Sequence, residues 1–131
     1  MAERTRVLIV EDDADIRIAL EQLFSNEGYA VTLANNGAEA IELLDPDEPP
    51  CAALVDLLMP GIVGHELLEY MRDHEVFRSV PIAIISGSPQ LAPEGYEVFP
   101  KPLEVQRLLD FVRVCPRSVT AEDPAAPRAA T

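Results

Sequence analysis

The sequence predicts a parallel α/β fold built on one open sheet, and three observations predict it. Short apolar runs recur along the chain: Val7 to Val10, Tyr29 to Leu33, Cys51 to Val55, Ile82 to Ile85 and Glu97 to Phe99. Segments with apolar residues at helical spacing separate most of them. Four of the runs end in residues able to do chemistry: Glu11-Asp12-Asp13, Asp56, Ser86-Gly87 and Lys101-Pro102. Strands alternating with helices imply parallel pairing and right-handed crossovers. Continuous apolar runs fit strands buried on both faces. In such a sheet ligands bind outside the carboxyl ends of the strands, so the four motifs converge on one rim.

The elements follow in order. Val7 to Val10 is a buried strand, and Asp13 is placed to cap the helix marked by Ile16, Ala19, Leu20, Leu23 and Phe24. Gly28 is a stop signal just past its end. Tyr29 to Leu33 is the second strand, Asn35-Asn36-Gly37 a turn, and Ala40, Ile41 and Leu44 mark a short helix. The Asp45 to Pro50 stretch is a loop by composition. Cys51 to Val55 is the third strand, and Leu67, Leu68 and Met71 mark a third helix. Pro81 opens the fourth strand, and Glu97 to Phe99 is a short fifth. The last helix is expected from Leu103 to Val114. Residues 87–100, with Pro89, Pro93, Gly95 and Pro100, are too few for a full helix plus a strand. A helix there is expected to be shortened or missing. Residues 5–115 form the expected domain, and 116–131 lack apolar periodicity and read as a disordered tail.

Composition narrows the function. The net charge of -13, from 10 Lys and Arg against 23 Asp and Glu, argues against direct nucleic-acid binding. No run approaches the length of a membrane helix, and no apolar leader follows the N-terminus. A cytoplasmic protein is expected, with Cys51 and Cys115 reduced.

Each motif has a plain and a chemical reading. Carboxylates at a helix start are favoured by the dipole, which accounts for Asp13 but less well for Glu11 and Asp12, since carboxylates at one strand end repel without a cation. Asp56 reads equally as a turn-starting residue or as a nucleophile that forms an acyl phosphate. Ser86-Gly87 alone is an ordinary turn. Lys101, between two prolines, is held in place. His65 and His74 read as surface residues. In combination, Asp12 and Asp56 offer oxygens to Mg2+, Lys101 adds a positive charge and Ser86 a neutral donor, a set suited to phosphoryl transfer.

Leu8-Ile9-Val10-Glu11-Asp12-Asp13, Leu54-Val55-Asp56-Leu57-Leu58-Met59-Pro60-Gly61, Ile84-Ile85-Ser86-Gly87 and Lys101-Pro102-Leu103 resemble, in order and spacing, the receiver domain of two-component response regulators. The resemblance implies a flavodoxin-like, doubly wound, five-stranded sheet of order 2-1-3-4-5. It implies phosphorylation of Asp56 by a histidine kinase or histidine phosphotransfer protein. It also implies Mg2+ held by Glu11, Asp12, Asp56 and the Leu58 carbonyl, Ser86 as switch hydroxyl, and Lys101 followed by a usually cis proline. The domain would catalyse only its own phosphorylation and dephosphorylation. With no output domain expected after it, signalling would pass by contact with an unknown protein target. Three positions depart from the family pattern. Val98 stands where a switch aromatic is usual, the segment before Lys101 is short, and Val63-Gly64 replaces Asp-Gly. These departures leave a phosphorylation-independent pseudo-receiver scaffold as the alternative. A phosphatase acting on outside substrates is disfavoured by Leu58, since no acid lies two residues past Asp56.

Overall fold

A computed structural model describes residues 5–56, 63–88, 92–93 and 95–113. The elements in chain order are β1 (Arg6–Val10), α1 (Ala14–Asn26), β2 (Ala30–Ala34), α2 (Gly37–Leu43), β3 (Ala52–Asp56), α3 (Val63–Asp73), β4 (Ile82–Ser86), β5 (Glu97–Pro100) and α4 (Val105–Val112). The strands form one sheet of order β2-β1-β3-β4-β5, every pair parallel. This is the doubly wound, flavodoxin-like order. The connections reverse direction at β1 and β3, so a crevice opens between their carboxyl ends.

Strand alternation sorts the core into two layers. Val7, Ile9, Ala52, Leu54, Ala83, Ile85 and Phe99 face α1 and α4, packing on Leu20, Phe24, Leu108 and Val112. Leu8, Val10, Ala53 and Val55 face the other way, onto Ala40 of α2, Leu67 and Met71 of α3, and Phe77. With no Trp and few aromatics, these aliphatic side chains fill the interior. Phe24, Tyr29 and Phe77 are its largest fully buried rings.

Local chemistry sets the helix ends. The Asp13 carboxylate accepts from the Asp15 and Ile16 amides at 2.9 and 3.1 Å, as a helix cap should. The predicted Asn35-Asn36-Gly37 turn is in fact a helix start. Asn36 Oδ1 accepts from the Glu39 amide at 2.8 Å, and Glu39 reaches back to the Asn35 amide. The last helix begins at Val105 instead of Leu103, with Glu104 at its cap. Leu103 instead packs against the α1–α4 layer. Val114 and the tail 116–131 lie outside the described residues.

The close of α1 is a Schellman turn. Gly28 takes φ +100°. Its amide donates to Ser25 O at 3.1 Å, and the Tyr29 amide to Phe24 O at 3.0 Å. The matching apolar contact is the edge-to-face pair of Phe24 and Tyr29, 6.1 Å between centroids. Tyr29 Oη then donates to Val112 O at 3.4 Å, tying the end of α4 to the start of β2.

Among the described residues no helix lies between β4 and β5, as the spacing suggested. The flank of α3 is left as an open groove of about 470 Å³, lined by His65, Leu68, Glu69, Arg72, Pro93, Gly95 and Tyr96. The cysteine expectation is corrected: Cys51 is disulfide-bonded, not reduced. The sequence holds one other cysteine, Cys115, outside the described residues.

Gly28→Ala forces a Cβ into left-handed backbone and should cost about 1 kcal/mol. Urea unfolding of the two chains measures it. An unchanged midpoint would show that the turn relaxes at no cost.

Candidate functional site

The strand registers explain why distant residues meet. Val10 pairs with Val55, which puts Glu11 level with Asp56 on adjacent strands. Asp56 pairs with Ile85 and Ile85 with Phe99, so Lys101 lies just beyond that level. Side-chain alternation sends Glu11, Asp56 and Lys101 to the face of Ile9, Leu54 and Phe99. Adjacent strands are about 4.8 Å apart, so β5 stands roughly 10 Å from β3. A long side chain is needed to cross β4, and lysine supplies it.

The result is a cluster of opposite charges at the sheet rim. Lys101 Nζ donates to Asp56 Oδ2 at 3.0 Å and lies 3.5 Å from Glu11 Oε1. Glu11, Asp12 and Asp56 each offer a carboxylate oxygen within 4.8 Å of the others. Glu11 and Asp56 are buried and Asp12 is exposed, so the cluster opens to solvent on the Asp12 side. Ser86, also buried, ends β4, and its Oγ accepts from the Ser88 amide at 2.9 Å. The Lys101 amide donates to Ser86 O at 2.9 Å, and the Lys101–Pro102 peptide is cis. The structure therefore brings together Glu11, Asp12, Asp56 and Lys101, with Ser86 on the neighbouring strand end. Leu58 lies outside the described residues.

Burial sets the electrostatics. Glu11 is completely enclosed, and desolvation pushes its pKa from the ordinary 4.5 up to about 8. The Asp56 carboxyl adds to this as hydrogen-bond partner and as like charge, while the Asp13 amide and the Lys101 ammonium pull the other way. Burial also works against the Lys101 charge, but the hydrogen bond and attraction of Asp56, with Glu11 behind it, outweigh that and raise its pKa above 10.5. As a carboxylate, Glu11 has one oxygen satisfied by the Asp13 amide at 3.1 Å and one, Oε1, with no hydrogen-bond donor. A buried oxygen that makes no hydrogen bond, ion-paired to Lys101 at 3.5 Å and beside two further carboxylates, fits a divalent cation of the hard, oxygen-preferring kind.

Two features escaped the sequence reading. Glu11 reads as one of three acids at a helix start, and nothing local marks it as the buried one. Arg17 donates from Nη1 to Glu11 O at 2.9 Å. The available signal was a cation near the amino end of a helix, against the dipole.

The model of the response regulator receiver domain matches residues 7–113. The chain belongs to that family. Among similar proteins, response regulator MprA of Mycolicibacterium vanbaalenii is 30% identical over 132 residues, covering 95% of this chain and 56% of MprA. The chain thus spans about half the length of the curated relatives it matches. The crystal structure of the receiver domain of the hybrid histidine kinase CckA superposes with TM-score 0.70 at 30% identity, covering 83% of this chain and 96% of that one. The receiver domain of the Pseudomonas aeruginosa sensor kinase PA1611, crystallised with magnesium in its active-site cleft, shares the fold at TM-score 0.75 and 23% identity, covering 86% and 97%. Receiver domains are signalling modules, and this one has no described helix long and apolar enough to cross a membrane.

The Glu11 shift gives a pH test. Between 4.5 and about 8 the folded receiver holds a proton that the unfolded chain has released. Stability from this group is therefore lost as pH rises through that window, by at most about 1.4 kcal/mol per pH unit. In chelator, the melting temperature should fall from about pH 5 to about pH 8, and Glu11→Gln should flatten that slope. Equal slopes for both proteins would remove the assignment.

Proposed function

We propose that this receiver domain accepts a phosphoryl group on Asp56 from the phosphohistidine of a histidine kinase or phosphotransfer protein and signals by protein contact. The observation that carries this reading is the Asp56 carboxylate: buried at the end of a central strand, held by Lys101 and placed against Glu11 and Asp12. A carboxylate confined in this way is a positioned nucleophile. One of its oxygens forms the new O–P bond as the donor's P–N bond breaks.

Each neighbour has a part. Lys101 already touches Asp56 and would move its charge onto the equatorial phosphoryl oxygens. Ser86 Oγ uses a lone pair to accept from the Ser88 amide, and its hydroxyl proton can be offered to a phosphoryl oxygen. Glu11, Asp12 and Asp56, with the Leu58 carbonyl, would hold Mg2+. When bound, Mg2+ neutralises the carboxylates and the incoming phosphoryl charge. Glu11 must give up its proton for this, so uptake of Mg2+ should strengthen toward pH 8.

A macromolecular donor is supported by the surface beside Lys101. An open groove of about 310 Å³ runs between α1 and α4, lined by Ile16, Ala19, Leu20, Pro102, Leu103 and Val105 among others. Val105 there is half exposed. An apolar groove touching a polar reaction centre suits a helix that presents a phosphorylated side chain to it. The net charge of -13 argues against a nucleic-acid target, leaving a protein as receiver of the signal.

Incubation with acetyl phosphate, followed by intact-mass analysis, tests the chemistry. One phosphoryl group should be gained with Mg2+ and none in chelator. Asp56→Asn should gain none, and Lys101→Ala should react on the order of a hundredfold more slowly. Undiminished labelling of Asp56→Asn would place the acceptor elsewhere. No labelling of the wild-type chain under any condition would favour the scaffold alternative.

A further inference from the structure

The β1–α1 turn holds a guanidinium whose position opposes simple electrostatics. Arg17 is the fourth residue after the Asp13 cap, where the helix dipole disfavours a cation. Four acids, Glu11, Asp12, Asp13 and Asp15, crowd the preceding residues. Yet among the described residues Arg17 forms no ion pair with any of them. Its Nη1 donates instead to the main-chain carbonyl of Glu11, at 2.9 Å across six residues.

That bond completes a set of restraints on Glu11. The Glu11 amide donates to Ala34 O at 3.0 Å, and its Oε2 accepts from the Asp13 amide at 3.1 Å. Asp13 is itself fixed by capping α1, and the Arg17 amide donates to Asp13 O at 2.9 Å. Asp12 sits between these two anchored residues and is exposed. Its direction is therefore set by the peptide planes on either side, and the Glu11 carbonyl is one of them. We propose that Arg17 is a positioning residue for the cation site, clamping the Glu11–Asp12 peptide so that both carboxylates face Asp56. This rests on the reading of the site given above.

The chemistry is that of an outer-shell support. Such groups hold ligands in place without touching the metal, and their loss weakens metal binding by about 10- to 100-fold. Arginine suits this because its planar fork keeps its charge and direction at any physiological pH. Glutamine at 17 keeps much of the length and loses the charge and the fork, while lysine keeps charge and loses the geometry.

Mg2+ titration by calorimetry on the wild type, Arg17→Gln and Arg17→Lys tests the proposal, alongside acetyl phosphate labelling across a Mg2+ series. Arg17→Gln should bind Mg2+ about tenfold or more weaker. The Mg2+ concentration for half-maximal labelling should rise by the same factor, while the rate at saturating Mg2+ stays near wild type. Arg17→Lys should fall between. A merely structural role would lower the melting temperature without this split. Wild-type Mg2+ affinity in Arg17→Gln overturns the proposal, as does a fall in the saturated rate with affinity unchanged. If Arg17→Gln does not fold, Arg17→Lys decides alone, and wild-type affinity in it overturns the proposal. A wild-type chain that takes up no Mg2+ overturns the site reading itself.

Discussion

The rim of this protein is organised by one conflict: three carboxylates share a space with one basic side chain among the described residues. Glu11, Asp12 and Asp56 place oxygens within 4.8 Å of one another, and Lys101 is the single basic side chain in contact with them among the described residues. Two of the acids are buried, where like charges repel most strongly. The chain meets the conflict by protonating Glu11, whose pKa rises to about 8. A fold can hold such an arrangement only if its frame is stiff. The frame is the pair β1 and β3, every residue of which from Val7 to Val10 and from Ala52 to Asp56 is buried.

Sheet order makes the conflict unavoidable. In the order β2-β1-β3-β4-β5, β1 and β3 are neighbours although α1, β2 and α2 separate them in sequence. Their ends are level, so acids at both ends must meet. The lysine comes from β5, so its side chain crosses β4 to reach Asp56. Its outward reach then depends on β5 being anchored. Phe99 provides this, stacked edge-on against Phe111 at 5.8 Å and covered by the Arg107 guanidinium at 5.3 Å.

Most of the fold was legible because its signals are local. Apolar runs marked five strands, Asp13 capped α1 as its position after Val10 suggested, and the scarcity of residues after Ser86 agrees with there being no helix there among the described residues. The candidate site was legible because strand ends in a parallel sheet converge by rule. What was missed depends on three-dimensional context. Asn36 looked like a turn residue until Glu39 completed its capping pattern. Leu103 looked helical because it is apolar, but the prolines before it delay the helix to Val105. Cys51 looked like an isolated thiol because its bonding depends on tertiary return. The Glu11 main chain is held by Arg17 and Ala34, six residues ahead and on another strand, and no local signal shows either bond.

The same geometry says how a change at Asp56 could travel. The two groups expected to meet a phosphoryl group besides Asp56 are not independent: the Lys101 amide is hydrogen-bonded to the Ser86 carbonyl. A pull on either moves the end of β5. Along β5, Val98 and Phe99 point to opposite faces. Val98 is aliphatic and has no ring to rotate. Phe99 faces α4 and is wedged against Phe111. Packed rings transmit displacement where loose ones absorb it. Motion of β5 would therefore pass to α4 and the groove it shares with α1. The face that flanks the candidate site is then also the face packed against β5.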